Sequence, residues 1–240
     1  MGEGLLVAAA LVWGAVAGAL LPRAAYRFCV PPEEAWRDRC PGGHAMRGWI
    51  GWGRCAECAR SYGPGVPLVA TVTAVLCAVL AVVTGPHPEL GVWLLITPVG
   101  VLLAVVDLRV RRLPDPLTLP LAAATPALLG VAALAPGPAG DWGTALLGAV
   151  ALGGFYFLLF LINPGGLGFG DVKLAVGAGA VLGWYGWWAV LLGTFAAFLC
   201  GAVYGGVRAV VRKTGRKTVI PFGPFLLAGA YAGLLLGAVG

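Results

Sequence analysis

Apolar stretches of near-bilayer length follow one another along the whole chain, at residues 5–21, 66–84, 90–107, 116–135, 142–162, 172–185, 187–210 and 219–239. Such a stretch placed in lipid finds no water for its backbone N–H and C=O groups and satisfies them internally, as a helix. About 20 residues, at a rise of about 1.5 Å each, cross the hydrocarbon core. The pattern therefore predicts an all-α, polytopic membrane protein with about eight transmembrane helices. The sixth stretch is short, and only Trp184-Tyr185-Gly186-Trp187-Trp188 separates it from the seventh. Aromatic residues of this kind suit a bilayer interface. Only 11% of the residues are charged and 60% are hydrophobic, whereas soluble domains carry about 25% charge. A soluble globular class is excluded. The 39 glycines fit the same picture, because small residues let membrane helices approach closely.

The basic residues set an orientation. Residues 1–4 carry an acid and no base, unlike a cleavable signal peptide, while Arg23 and Arg27 directly follow the first stretch. An N-terminus outside and eight crossings place four segments in the cytoplasm. These are 23–64, 108–115, 163–173 and 208–218, and they hold every lysine and arginine of the chain. The outer loops 84–90, 135–142 and 184–188 hold none. This asymmetry follows the positive-inside rule, and it accounts for the net charge of +6 without a nucleic-acid partner. The expected layout is a first transmembrane helix (1–22), a cytoplasmic cysteine-containing loop domain (23–64) and a seven-helix membrane core (65–240), all in the plasma membrane.

Within that layout two acids stand out. Asp107 closes the third stretch and Asp171 opens the sixth, so both fall at the cytoplasmic face. An ionisable residue set among apolar runs is a functional candidate, because burying it in a membrane is costly. Two carboxyls close together cannot both ionise, so they share a proton. One then activates water and the other donates to a carbonyl oxygen, which is the minimum equipment for aspartic proteolysis. Simpler roles compete with this one. Asp171 suits a helix N-cap, and Asp107 suits an ion pair with Arg109, Arg111 or Arg112. Asp115, before Pro116, is expected to cap the next helix. Asp141 is expected to be merely solvated, and Lys173 either steers an acidic substrate or marks the cytoplasmic edge.

Three motifs carry a resemblance. Asp107 through Leu113-Pro114-Asp115 to Leu117-Thr118-Leu119-Pro120 resembles the first catalytic-aspartate motif of the type IV prepilin peptidases. Gly168-Phe169-Gly170-Asp171-Val172-Lys173-Leu174 resembles their second, and Ile220-Pro221-Phe222-Gly223-Pro224-Phe225-Leu226 is similar to the segment that opens their last helix. The resemblance implies that Asp107 and Asp171 are the catalytic pair and that Asp115 is a neighbour without a catalytic role. Gly168, Gly170, Lys173 and Asp115 then line the substrate. That substrate is a prepilin or pseudopilin of a type IV pilus or secretion system. It would be cut on the cytoplasmic side after the glycine that ends its basic leader. Residues 18–27 distantly resemble the end of the first helix in bifunctional members, which also methylate the new N-terminus with S-adenosylmethionine; that activity stays open.

The polar loop offers Cys55-Ala56-Glu57-Cys58, with Cys40 and His44 upstream. Disulfides are disfavoured in a cytoplasmic segment, and Cys40, His44, Cys55 and Cys58 have spacing suited to tetrahedral zinc. The related peptidases usually carry two Cys-x-x-Cys pairs here, so His44 stands where a thiol is expected, and Cys29 is a rival fourth ligand. Reduced thiols without metal and a redox use of the cysteines are the alternatives. His87 is expected to be an exposed turn residue. At the level of the whole protein, the alternatives are a presenilin-like or signal-peptide-peptidase-like protease and a proton-coupled transporter. Val106 and Leu108 beside Asp107 lack the tyrosine of the former, and no internal repeat supports the latter.

Overall fold

The computed structural model describes residues 2–31, 33–212 and 221–239. Lys213, Arg216 and Lys217 of the basic run, and Ile220 of the third motif, lie outside the described residues. The described chain is all-helical but for two isolated β-bridges, Arg39 with Ala45 and Arg54 with Ser61. Its helices are α1 (Glu3–Phe28), α2 (Val66–Thr84), α3 (Glu89–Val110), α4 (Asp115–Ala133), α5 (Trp142–Ile162), α6 (Phe169–Trp184), α7 (Trp187–Arg212) and α8 (Gly223–Val239). Six of them, α1 to α5 and α7, are long and apolar enough to cross a membrane, and α8 is a shorter apolar helix. This is a polytopic membrane protein.

The chain divides into two compact units, residues 1–86 with 93–112, and residues 87–92 with 113–240. In the first, α1 and α2 pack through small residues. A Cβ on Gly14 would stand 2.6 Å from the Thr73 carbonyl oxygen, and one on Gly18 would stand 2.8 Å from that of Val69. The polar segment after α1 folds over the end of that helix. Gly53 and Gly63 lie so close to Pro22 that neither has room for a side chain.

In the second unit, α6 is the central element. Of its 16 residues all but four are buried, packed among α4, α5, α7 and α8. At about 1.5 Å per residue it is shorter than the hydrocarbon core, which protein neighbours on several sides make tolerable. Close approach again depends on glycine: Gly148 of α5 lies against Gly179 and Gly183 of α6, and Gly193 of α7 against Gly229 of α8. At the far end of the unit, Asp141 caps α5. It accepts a hydrogen bond from the Thr144 backbone N–H at 2.7 Å, a specific role where plain solvation was expected. His87 is exposed, as expected, and its Nδ1–H donates to the Gly137 carbonyl at 2.8 Å.

Candidate active site and metal centre

Asp171 occupies the third position of α6, within its first turn and not at its cap. Gly168 holds the cap position in extended conformation, and its backbone N–H donates to Asp171 Oδ2 at 3.1 Å. An acid in the first turn is favoured by the positive end of the helix dipole, so local physics alone seats a carboxylate here. Burial is what local physics does not require: Asp171 is only 7% exposed. The two glycines of the motif differ in surroundings. A Cβ on Gly170 would meet Leu113 Cβ at 2.8 Å, whereas one on Gly168 would make ordinary contacts, with Asp171 Oδ2 at 3.4 Å and the Gly170 nitrogen at 3.9 Å. Gly170 is thus a packing requirement: it lets the segment before α4 lie against the first turn of α6.

Lys173 and Asp115 find each other. Lys173 Nζ donates to Asp115 Oδ1 at 2.7 Å and stands 5.0 Å from the centre of the Phe169 ring. Asp115 is the first residue of α4 and makes no capping bond; Pro114 holds the cap position. The expected cap is replaced by an ion pair that ties the starts of α4 and α6 together.

Tyr156 went unremarked in the sequence. Gly148 faces Gly179 and Gly183, and Gly153 faces Val176, so α5 and α6 run antiparallel, and Tyr156 falls level with the turn that carries Asp171. Its side chain is fully buried among Phe155, Phe198 and Phe222. Its hydroxyl has no hydrogen-bond partner among the described residues and lies within electrostatic reach of Asp171. One phenol in an aromatic-rich apolar run gives no sequence signal beyond its own polarity.

Asp107 belongs to the first unit and sits in the last turn of α3, 4% exposed. The helix ends just beyond it, where Arg111 adopts the left-handed conformation (φ 53°) and donates its N–H to the Asp107 carbonyl at 2.8 Å. A residue other than glycine in that region is strained, by about 1–3 kcal/mol. Arg112 turns away from the helix, donating to the Pro31 carbonyl at 3.1 Å and stacking 4.3 Å from the centre of Trp36.

In the loop of the first unit, Cys40, His44, Cys55 and Cys58 converge, with all ligand atoms within 4.8 Å of one another. Cys29 is not among them. The Cys40 and Cys58 sulfurs are 3.8 Å apart, and His44 Nδ1 lies 3.5 Å from Cys40 Sγ and 3.9 Å from Cys55 Sγ. Metal–sulfur bonds of about 2.3 Å in a tetrahedron give an edge of about 3.8 Å, so the donor set fits zinc. The other ring nitrogen of His44 lies 3.7 Å from Glu57 Oε2, the carboxylate–histidine arrangement that orients a metal ligand. Burial opposes ionisation of Cys40, but the Gly42 N–H and the His44 and Cys55 contacts outweigh it and bring the thiol down to about 6. At Cys58 the Arg60 N–H favours the thiolate, yet burial and the neighbouring Cys55 and Cys40 prevail and raise the thiol. Burial also raises Cys29, against the pull of Arg109 and Arg37.

Residues 94–206, which include both Asp107 and Asp171, match the type IV leader peptidase family. The chain is similar to a protein of Burkholderia pseudomallei named prepilin leader peptidase/N-methyltransferase, 32% identical over 231 residues, covering 89% of this chain and 70% of that protein. A protein of the same name from Pseudomonas aeruginosa is 32% identical over 90% of this chain and 75% of its own length. One from Bacillus subtilis is 30% identical, over 77% of this chain and 71% of its own. No solved structure matches.

Proposed function

We propose, for a chain that belongs to the type IV leader peptidase family, that it is an intramembrane prepilin peptidase in which Asp107 and Asp171 are the catalytic pair. The protein is a protease by its family; the residues, the cut and the side of the membrane are this proposal. The observation that carries it is the seat of Asp171: a carboxylate buried to 7% exposure at the start of a central helix, within the segment that matches the family.

In the proposed reaction the two carboxyls share one proton, since two adjacent carboxylates resist full ionisation. The ionised group takes a proton from water, and the water oxygen attacks the scissile carbonyl. The protonated group donates to the carbonyl oxygen, giving a tetrahedral diol. Collapse of the diol breaks the C–N bond and returns a proton to the departing amine. Gly168 and Gly170 frame the acid, and Lys173 with Asp115 fixes the entrance turn beside it. Tyr156 places a hydroxyl donor level with Asp171. The substrate is a prepilin, cut after the leader glycine at the cytoplasmic face, an assignment supported by the placement of every base on one side of the predicted topology.

Cys40, His44, Cys55 and Cys58 are proposed to hold a structural zinc, which would tie together a loop too small to build much core of its own. The curated relatives are also named N-methyltransferases, and methylation of the new N-terminus by S-adenosylmethionine is the second activity we carry; no residue is assigned to it. The proposal is tested by single-turnover cleavage of purified prepilin. Asp115→Asn is expected to stay within about tenfold of wild type, while Asp171→Asn falls by at least about 100-fold, the scale of acid–base catalysis. A folded Asp171→Asn protein that cuts at the wild-type rate overturns it.

A further inference from the structure

The loop of the first unit exposes an apolar tip that neither zinc binding nor proteolysis explains. Its sequence is Arg47-Gly48-Trp49-Ile50-Gly51-Trp52-Gly53-Arg54, with an arginine at each end and no acid between. Trp49 is 41% exposed, Ile50 65% and Trp52 63%. In an ordinary polar loop, three large apolar side chains left this open mark a contact surface.

The backbone fixes where the tip sits. Gly51 N–H donates to the Leu20 carbonyl at 2.8 Å, and Arg23 N–H donates to the Gly51 carbonyl at 3.1 Å. These bonds clamp the tip onto α1 at the point where its apolar run gives way to Arg23. Glycine suits the clamp because Gly51 has a φ of 150°, a conformation that other residues rarely adopt, and a Cβ there would also displace the Arg23 guanidinium, whose carbon stands 2.7 Å away. Arg23 also holds the Arg47 carbonyl at 2.8 Å. Arg27 holds the Gly48 carbonyl at 2.8 Å and stacks 4.1 Å from the centre of Trp49, which leans on Phe28. The tip is therefore held rigidly at the level where a membrane-crossing α1 leaves the hydrocarbon.

We propose that residues 47–54 form an interfacial anchor that binds phospholipid. Ile50 and Trp52 enter the boundary between headgroups and acyl chains, and Arg47 and Arg54, both exposed, take lipid phosphates. Tryptophan prefers that depth, apolar side chains gain by burial there, and arginine forks onto phosphate oxygens. The competing occupant, the apolar helix of a prepilin, does not call for arginines on both flanks. The anchor pins the Cys/His cluster beside α1 on the bilayer surface, and it stands independently of the assignment of the aspartates.

The test uses the full chain in vesicles of phosphatidylethanolamine and phosphatidylglycerol, with p-benzoylphenylalanine introduced singly at Ile50, Trp52, Ala56 or Val12. Val12, an exposed position on α1, calibrates a lipid-facing site, and Ala56 is an exposed loop position outside the tip. After irradiation, intact mass spectrometry reads the phospholipid adduct. The anchor predicts yields at 50 and 52 approaching that at 12 and several-fold above that at 56. Yields at 50 and 52 no greater than at 56 overturn it. So does transfer of the adduct from lipid to a co-reconstituted prepilin, which would give the surface to the substrate. In parallel, Trp52→Phe is expected to reduce quenching of tryptophan fluorescence by brominated lipid, and unchanged quenching contradicts the anchor without relying on the photoreactive residue.

Discussion

Asp171, Gly170 and Tyr156 show how far single residues could be read before the fold was known. The acid in a Gly-x-Gly-Asp frame was legible, because a carboxylate among apolar runs is expensive and so marked. Its exact seat was not, since a shift of three residues in the helix start separates a cap from a third-position acid, and only backbone geometry decides. The glycines look alike in sequence but differ in space. A methyl at Gly170 would run into Leu113 at 2.8 Å, while one at Gly168 would make an ordinary contact. Gly170→Ala is therefore expected to destabilise the protein by about 1–3 kcal/mol through overpacking, and Gly168→Ala by less, as read by thermal unfolding in detergent. Equal midpoints for the two variants would contradict this packing. Tyr156 could not have been found, because its partner turn lies on another helix and no spacing rule links them. Tyr156→Phe keeps the ring in its aromatic cluster and removes only the hydroxyl. It is expected to lower kcat by about tenfold, the effect of one hydrogen bond to a charged group, with KM unchanged. An unaltered kcat removes Tyr156 from the site.

At the level of elements, periodicity and length located the helices, and pair contacts were what escaped. Asp115-Pro116 reads as a helix cap, yet the carboxylate spends itself on Lys173 of α6 at 2.7 Å; a long-range partner won over a local one. Because Asp115 is 59% exposed, the pair contributes no more than about 1 kcal/mol. Lys173→Met should cost no more than that, and the swapped pair Lys173→Asp with Asp115→Lys should recover part of it; a larger loss would mean that Lys173 serves something other than this tie. The Cys/His loop was more legible, since metal-ligand spacing is a local property. What the sequence left open was the choice between His44 and Cys29, and the convergence of His44 with the three thiols favours the former. Elemental analysis is expected to find one zinc per chain, lost in His44→Ala and Cys58→Ser and retained in Cys29→Ser. Metal retained in His44→Ala and lost in Cys29→Ser would reverse the assignment.

For the whole molecule, lipid does most of the specifying. Backbone satisfaction forces helices, hydrocarbon thickness sets their length, and charge asymmetry predicts their direction. This is why the all-helical class was legible from composition, while the interior position of the short α6 was not: a helix sheltered by neighbours need not meet the length rule. The predicted direction has its own check. Alkaline phosphatase fused after residue 137 should be active, and fused after residue 64 inactive; the opposite pattern would invert the topology and remove the cytoplasmic cut. The most direct measurement is co-expression with a candidate prepilin, comparing wild type with Asp107→Asn and Asp171→Asn and reading the new N-terminus by mass spectrometry. Cleavage after the leader glycine that disappears in both folded variants is the predicted result, and a mass increase of one methylene would reveal methylation. Cleavage that persists in either variant would contradict the two-aspartate mechanism.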